Sequence, residues 1–163
     1  MHPIVIYASS TGNTEKVALA IAEALQCPVT QLRQFDDYGT PFTPERWIKF
    51  DLFLLGSGIF AGHFSSKIKE FMESLAPKLD RKTFGFFCTW AGRGTSAADA
   101  VQELKKIAEK SGHRLIPKSF ACYGRTMWVF HAHSPTIEDL AKAKEWAKYA
   151  IDIVLNTTPP RDS

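Results

Sequence analysis

The chain has 163 residues, is 45% hydrophobic, and carries a net charge of +3 with a pI near 8.8. This length suits one domain of roughly 100–200 residues. No run approaches the ~20 apolar residues of a membrane-crossing helix, and no basic-then-apolar leader opens the chain. Cys27, Cys88 and Cys122 form no CxxC pair. Their odd count argues against a disulfide framework and for a reducing, cytoplasmic compartment. No Cys/His group has zinc-ligand spacing, so no metal is expected. Basic residues concentrate between Lys67 and Lys110, where most lysines alternate with Glu. That is the pattern of solvated helix faces, and it gives no case for nucleic acid.

Residues 4–8 are a continuous, β-branched apolar run, the pattern of a strand buried on both faces. Residues 14–26 follow, with Val17, Ala20, Ile21, Ala24 and Leu25 at helical spacing. Residues 28–35 read as a weaker strand and 36–44 as a loop. Thr43-Pro44-Glu45 starts a helix, with a hydroxyl cap and Pro at the first helical position. It must be short, because DLFLLG (51–56) is another buried strand. Residues 65–75 place Ile68, Phe71, Met72 and Leu75 on one helical stripe, and TFGFFCT (83–89) is the fourth strand. A helix over 96–111 stops at Gly112. Residues 115–123 form a fifth strand, whose Pro117 fits best at a sheet edge. An aromatic loop (123–134) precedes a last helix over 135–155, predicted to pack Ile137, Leu140, Ala141 and Lys144 on one face. Residues 158–163 are expected to fray, leaving 1–157 as a single domain.

Strands and helices alternate throughout. This predicts a parallel sheet with right-handed crossovers and helices on both sides, a three-layer α/β/α architecture. In such sheets ligands bind beyond the carboxyl ends of the strands, where the strand order switches. A site must then come from loops that follow strands. The first such loop, Ser9, Ser10, Thr11, Gly12, Asn13 and Thr14, has four hydroxyls, one Gly and no cation. It opens a helix whose N-terminus offers unpaired N–H groups and partial positive charge. Small residues let the backbone approach a phosphate, and hydroxyls add donors. The loop is neither GK[ST] nor GxGxxG, and no Cys marks it as a phosphatase loop. A capped polar turn would account for one hydroxyl, not four.

This stretch resembles the [ST]-x-T-G-x-T phosphate loop of flavodoxins at every fixed position, and the loop order matches over nearly the whole chain. The resemblance implies a flavodoxin-like, doubly wound five-stranded parallel sheet of order 2-1-3-4-5. It also implies noncovalent FMN, with Ser9, Ser10, Thr11, Gly12, Asn13 and Thr14 holding its phosphate. By the same resemblance Gly58, Ile59, Phe60, Ala61 and Gly62 flank the isoalloxazine ring, with Phe60 near the aromatic position. Ala61-Gly62 or Gly62-His63 is then the peptide that turns its carbonyl toward flavin N5 on reduction, a turn that needs a residue at ease with φ > 0. Thr89, Trp90, Ala91, Gly92, Arg93 and Gly94 correspond to the loop that meets the pyrimidine end, with Trp90 as a second stacking ring. Arg93 near N1 and the C2 oxygen would favour the anionic reduced flavin and raise the potential of the last electron step.

Plainer readings stand beside these. Gly56 and Gly58 also suit tight packing at a strand end, Phe60 a core anchor, Trp90 a lid over the core edge, and Arg93 a solvated side chain. His63 is a proton donor or an exposed loop residue. Trp128, Phe130, His131 and His133 cap the flavin or a substrate, or are ordinary loop residues. Cys122 reads as a small buried residue.

The implied function is electron transfer through FMN. One version is a carrier docking redox proteins; the other is an oxidoreductase acting on a small acceptor such as a quinone or protoporphyrinogen. The segment GSGIFAGH (56–63) is similar to the protoporphyrinogen oxidase type of flavodoxin-domain protein, although the later insertion of that type is not evident. Carriers usually have an acidic rim around the flavin, whereas the matching loops here are basic and aromatic, which leans toward an enzyme. No catalytic residue is assigned.

Overall fold

β1 (Pro3–Ala8) alternates Ile4, Ile6 and Ala8 on one face with Val5 and Tyr7 on the other, and both sets are buried. β3 (Leu52–Gly58) does the same with Phe53 and Leu55 against Leu52 and Leu54. A strand covered on both sides gains nothing from polar alternation, so each reads as one apolar run. The structure is a computed structural model that describes residues 1–32, 43–92, 94–124 and 133–157.

Between these strands lies α1 (Asn13–Leu25), followed by the short β2 (Val29–Gln31). Residues 33–42, which include the end of the predicted second strand and most of the following loop, lie outside the described residues. The short helix predicted at Thr43 is a single 3-10 turn, Pro44–Arg46, with Thr43 extended at its N-cap and no side-chain cap bond. α2 (Ser66–Leu75), β4 (Thr83–Trp90) and α3 (Ser96–Lys110) follow. α3 ends as predicted at Gly112, whose φ of 75° lets the His113 N–H reach back to the Ala108 carbonyl at 3.0 Å.

All described strand pairs are parallel, in the order β2-β1-β3-β4-β5. The switch in order lies between β1 and β3, where consecutive strands leave to opposite sides. The fifth position differs from the predicted single strand over 115–123. It is split into β5 (Arg114–Leu115) and β6 (Phe120–Tyr123), both paired with β4. Phe84 pairs with Leu115 and Phe87 with Phe120, so β4 advances three residues while the edge advances five. The surplus forms a bulge around Pro117, which has no N–H to give the ladder. Trp146 closes it by donating from Nε1 to the Lys118 carbonyl at 2.7 Å.

Trp146 belongs to α4 (Ile137–Thr157), where the predicted packing face is corrected. The buried stripe is Ala143, Trp146, Ala147, Ala150 and Val154; of the predicted Ile137, Leu140, Ala141 and Lys144, Leu140 packs against this cluster, partly buried, and the others are not part of it. Ile137 is 87% exposed because it sits in the first turn, outside the contact. Small residues decide the register: Ala18 and Ala22 of α1 share a buried cluster with Ala143, Ala147 and Ala150, so the two helices approach closely. On the other face α2 and α3 cover a cluster containing Phe53, Phe71, Phe84 and Phe86. Each such side chain contributes about 1.5–3 kcal/mol on burial.

Candidate functional site at the carboxyl end of the sheet

The loop after β1 is held from inside and outside, and Gln31 Nε2 of β2 donates to the Ser9 carbonyl at 3.2 Å. The Gly12 N–H donates to Ser9 Oγ at 3.0 Å, and Asn13 Nδ2 donates to Thr11 Oγ1 at 3.1 Å. Gly12 is the N-cap of α1 with φ 81°, a left-handed conformation that glycine adopts without penalty. A glycine N-cap places no side chain over the helix end. The first backbone bond of the helix runs from the Lys16 N–H to the Gly12 carbonyl, so the N–H groups before Lys16 have no acceptor within the helix ladder. Ser10 and Thr11 are exposed. This donor set is neutral, oriented and open, which fits a phosphate.

Thr14 is placed differently from its neighbours. It is 2% exposed, and its hydroxyl pairs with that of Thr89 at 2.9 Å. The bond ties the first turn of α1 to the end of β4. Of the four hydroxyls in the loop, three remain at or near the surface and one is a structural tie.

The loop after β3 makes a tight hairpin. Phe60 and His63 exchange two backbone hydrogen bonds, each 3.0 Å. Ala61 has φ 49° and Gly62 φ 81°, the two positive values of a primed hairpin turn. Ala61 takes a conformation that costs an L-residue about 1–2 kcal/mol. The Ile59 N–H donates to the Thr89 carbonyl at 2.9 Å, joining this loop to β4. Ser57 Oγ accepts from the Ser65 N–H at 2.8 Å and donates to the Gly58 carbonyl at 2.7 Å. Phe60 is 62% exposed, so it is no core anchor. Gly56 is needed for packing, since a Cβ there would stand 2.1 Å from Phe87 Cε2.

After β4, Trp90 is half-buried against the α2/α3 cluster, with one face stacked on Tyr123 at a centroid distance of 6.1 Å. Ala91, Gly92 and Gly94 are exposed. Gly92 has φ 76°, and a Cβ there would fall 2.6 Å from the Tyr123 ring. Arg93 lies outside the described residues, as do Trp128, Phe130 and His131; His133 is exposed.

The fold thus brings residues 9–14, 58–62 and 89–92 to the same end of the sheet, through the Thr14–Thr89 and Ile59–Thr89 bonds. Four participants carry no strong sequence signal. Tyr123 supplies the ring beneath Trp90. The Gly124 N–H donates to the Trp90 carbonyl at 3.0 Å, and a Cβ on Gly124 would lie 3.2 Å from both Asn13 Nδ2 and Thr89 Cβ. Glu15 accepts from the Tyr7 hydroxyl at 2.9 Å. Glu103 on α3 holds His63 Nδ1 at 3.1 Å and Lys69 Nζ at 2.6 Å. The Lys69 ammonium, and then His63, hold the Glu103 carboxyl below its usual range. A Tyr-Gly pair ending a strand was the one available cue for Tyr123 and Gly124.

Burial pushes the Cys88 and Cys122 thiols up to about 12, so neither offers a thiolate at neutral pH. Among the described residues no group of His, Cys, Asp and Glu could hold a metal, and no helix is long and apolar enough to cross a membrane.

The flavodoxin-domain family matches residues 4–128. The chain is 28% identical over 156 residues to an uncharacterized protein of Methanocaldococcus jannaschii, covering 91% of this chain and 97% of that one. It is 26% identical over 129 residues to the flavodoxin-like domain-containing protein BilS of Clostridioides difficile, covering 77% of this chain and 67% of BilS. In structure it superposes on a WrbA-like flavodoxin from Agrobacterium tumefaciens with a TM-score of 0.75 at 17% identity, covering 96% of this chain and 99% of that one. A flavodoxin from the domain Archaea gives 0.69 at 20% identity, covering 96% and 98%. At such identities the structures speak for the fold. With the family match covering the chain from β1 through β6, this protein belongs to the flavodoxin-domain family.

Proposed function

We propose that this chain, as one domain over residues 1–157, binds FMN noncovalently and transfers electrons through it. The observation that carries this reading is the loop of residues 9–14: a helix N-terminus left open by a glycine N-cap and lined with neutral hydroxyl donors. FMN, when bound, supplies one- and two-electron redox chemistry at its ring system. Ser9, Ser10, Thr11, Gly12, Asn13 and Thr14 are the residues that would hold its phosphate, with Thr14 also fixing their helix against Thr89. Gly58, Ile59, Phe60, Ala61 and Gly62 would flank one side of the ring, and Thr89, Trp90, Ala91, Gly92, Arg93 and Gly94 its polar edge. Exposed Phe60 offers a stacking face at little cost to the core. Partners are redox proteins or a small electron acceptor in the cytoplasm.

A second reading, an oxidoreductase for a small acceptor such as a quinone or protoporphyrinogen, draws on one feature: the aromatic side chains Phe60, Trp90 and Tyr123 at the rim of the site.

The test is titration of the flavin-free chain with FMN and riboflavin, followed by fluorescence quenching. FMN is expected to bind more tightly than riboflavin. Thr11→Ala, at an exposed position, is expected to weaken FMN by about 1 kcal/mol and leave riboflavin unchanged. Equal affinity for the two flavins would overturn the phosphate assignment.

A further inference from the structure

Glu15 is the third residue of α1, one turn from Gly12. Its Oε1 accepts a hydrogen bond from the Tyr7 hydroxyl at 2.9 Å. Its Oε2 lies 3.9 Å from the point where a Cβ on Gly12 would stand, so the carboxylate curls back to the mouth of the loop. Tyr7 sits in β1 and is only 5% exposed. Its ring is packed in the sheet, and the phenol is a fixed tether.

The carboxylate is therefore held beside the positive end of the helix dipole, where a negative charge is favoured. An anion bound by residues 9–14 would use the same helix end. Two like charges drawn to one N-terminus disfavour each other, and the effect is strongest at a partly buried position. The cradle contributes no cationic side chain of its own to offset this, since residues 9–14 contain neither Lys nor Arg.

We propose that Glu15, oriented by Tyr7, is a resident anion of the cradle that competes with the ligand phosphate for the α1 N-terminus and sets its affinity. This rests on the reading of residues 9–14 as a phosphate site. The carboxylate stabilises the helix when no ligand is bound and opposes a phosphomonoester when one arrives. Glu15 is thus a positioning and selectivity residue: its effect scales with ligand charge, acts on FMN, and spares riboflavin.

The experiment compares the full-length, flavin-free wild type with Glu15→Gln, which keeps the shape of the side chain and its ability to accept from Tyr7. Each is titrated with FMN and with riboflavin at low and high salt, and the thermal midpoint of the flavin-free form is measured. Glu15→Gln is expected to bind FMN about 3- to 10-fold more tightly, with riboflavin unchanged. The gain should shrink at high salt, and the flavin-free variant should melt lower, having lost its N-terminal charge. Tyr7→Phe, which releases the carboxylate, should give a smaller gain in the same direction. Unchanged or weaker FMN binding by Glu15→Gln, or an equal gain for riboflavin, overturns the proposal. If wild type prefers FMN and Glu15→Gln gains nothing, the Glu15 inference alone falls. If wild type does not prefer FMN, the phosphate-site reading falls and takes the inference with it.

Discussion

Residues 9–14 and residues 58–63 both follow a central strand and both lead into a helix, yet they are held in different ways. The first loop bonds within itself, through Ser9 to Gly12 and Thr11 to Asn13, and outward at its two ends, through Gln31 to the Ser9 carbonyl and Thr14 to Thr89. The second is bonded outward as well: Ile59 to Thr89, and His63 to Glu103 of α3. A loop that makes its own bonds shows its chemistry in a short stretch of sequence. A loop held by distant elements does not, because its partners are about thirty to forty residues away along the chain. The difference also predicts where each loop is vulnerable.

The largest effect is expected at the strand leading into the second loop. Gly56→Ala places a methyl 2.1 Å from a Phe87 ring that is itself fully buried. The cost should reach about 3 kcal/mol, the upper end for overpacking, measured by chemical denaturation. A loss below about 0.5 kcal/mol would mean that β3 and β4 give way easily and that the second loop is less fixed than described.

Next is the tie between the two regions. Thr14→Val leaves the buried Thr89 hydroxyl without its partner and should cost about 1–2 kcal/mol. Thr14→Val with Thr89→Val should recover part of that loss, because no polar group is then stranded. A double variant as unstable as the sum of the two would show that the hydroxyls act separately, and the two loops would lose their common anchor.

The smallest effect is the surface tie on the second loop. The Glu103 carboxyl is held below its ordinary value of 4.5 by the Lys69 ammonium first and His63 second. A carboxyl with a lowered folded-state pKa contributes stability above its unfolded pKa and loses it as pH falls through the folded value. Glu103→Gln should therefore melt slightly below wild type at pH 7, and the gap should close as pH falls below about 4.5. The pair is largely exposed, so the gap is small. A gap that persists in acid would assign the role of Glu103 to packing rather than charge.

Particular elements show what was legible. The alternation of apolar runs and helical stripes fixed the layer order, since strands covered on both faces need nothing but apolar residues. SSTGNT was legible as a hydroxyl-rich turn opening a helix because Gly12 and its hydroxyl neighbours act over a single turn of chain. The roles within it were not: Thr14 turns inward to Thr89, which the sequence cannot show. Phe60 read as a stacking ring with a core anchor as the plainer alternative, and its exposure removes the alternative. Gly56 was open between packing and cofactor approach until Phe87 was found beside it.

The fifth strand and the last helix mark the same boundary. Pro117 pointed to a sheet edge, but not to the two-residue surplus that splits the strand, because register depends on pairing with β4. In α4 the apolar Ile137 suggested one face, and the contact with α1 selected another, made of Ala143, Ala147 and Ala150. Close approach of two helices rewards small residues, which hydrophobicity alone does not single out. By itself the sequence determined the α/β alternation, the parallel sheet and the hydroxyl-rich turn that opens α1, all of which follow from periodicity and from chemistry within a few residues. Tertiary structure decided register, helix facing and the meeting of the loops after β1, β3 and β4, because each depends on which distant side chains meet.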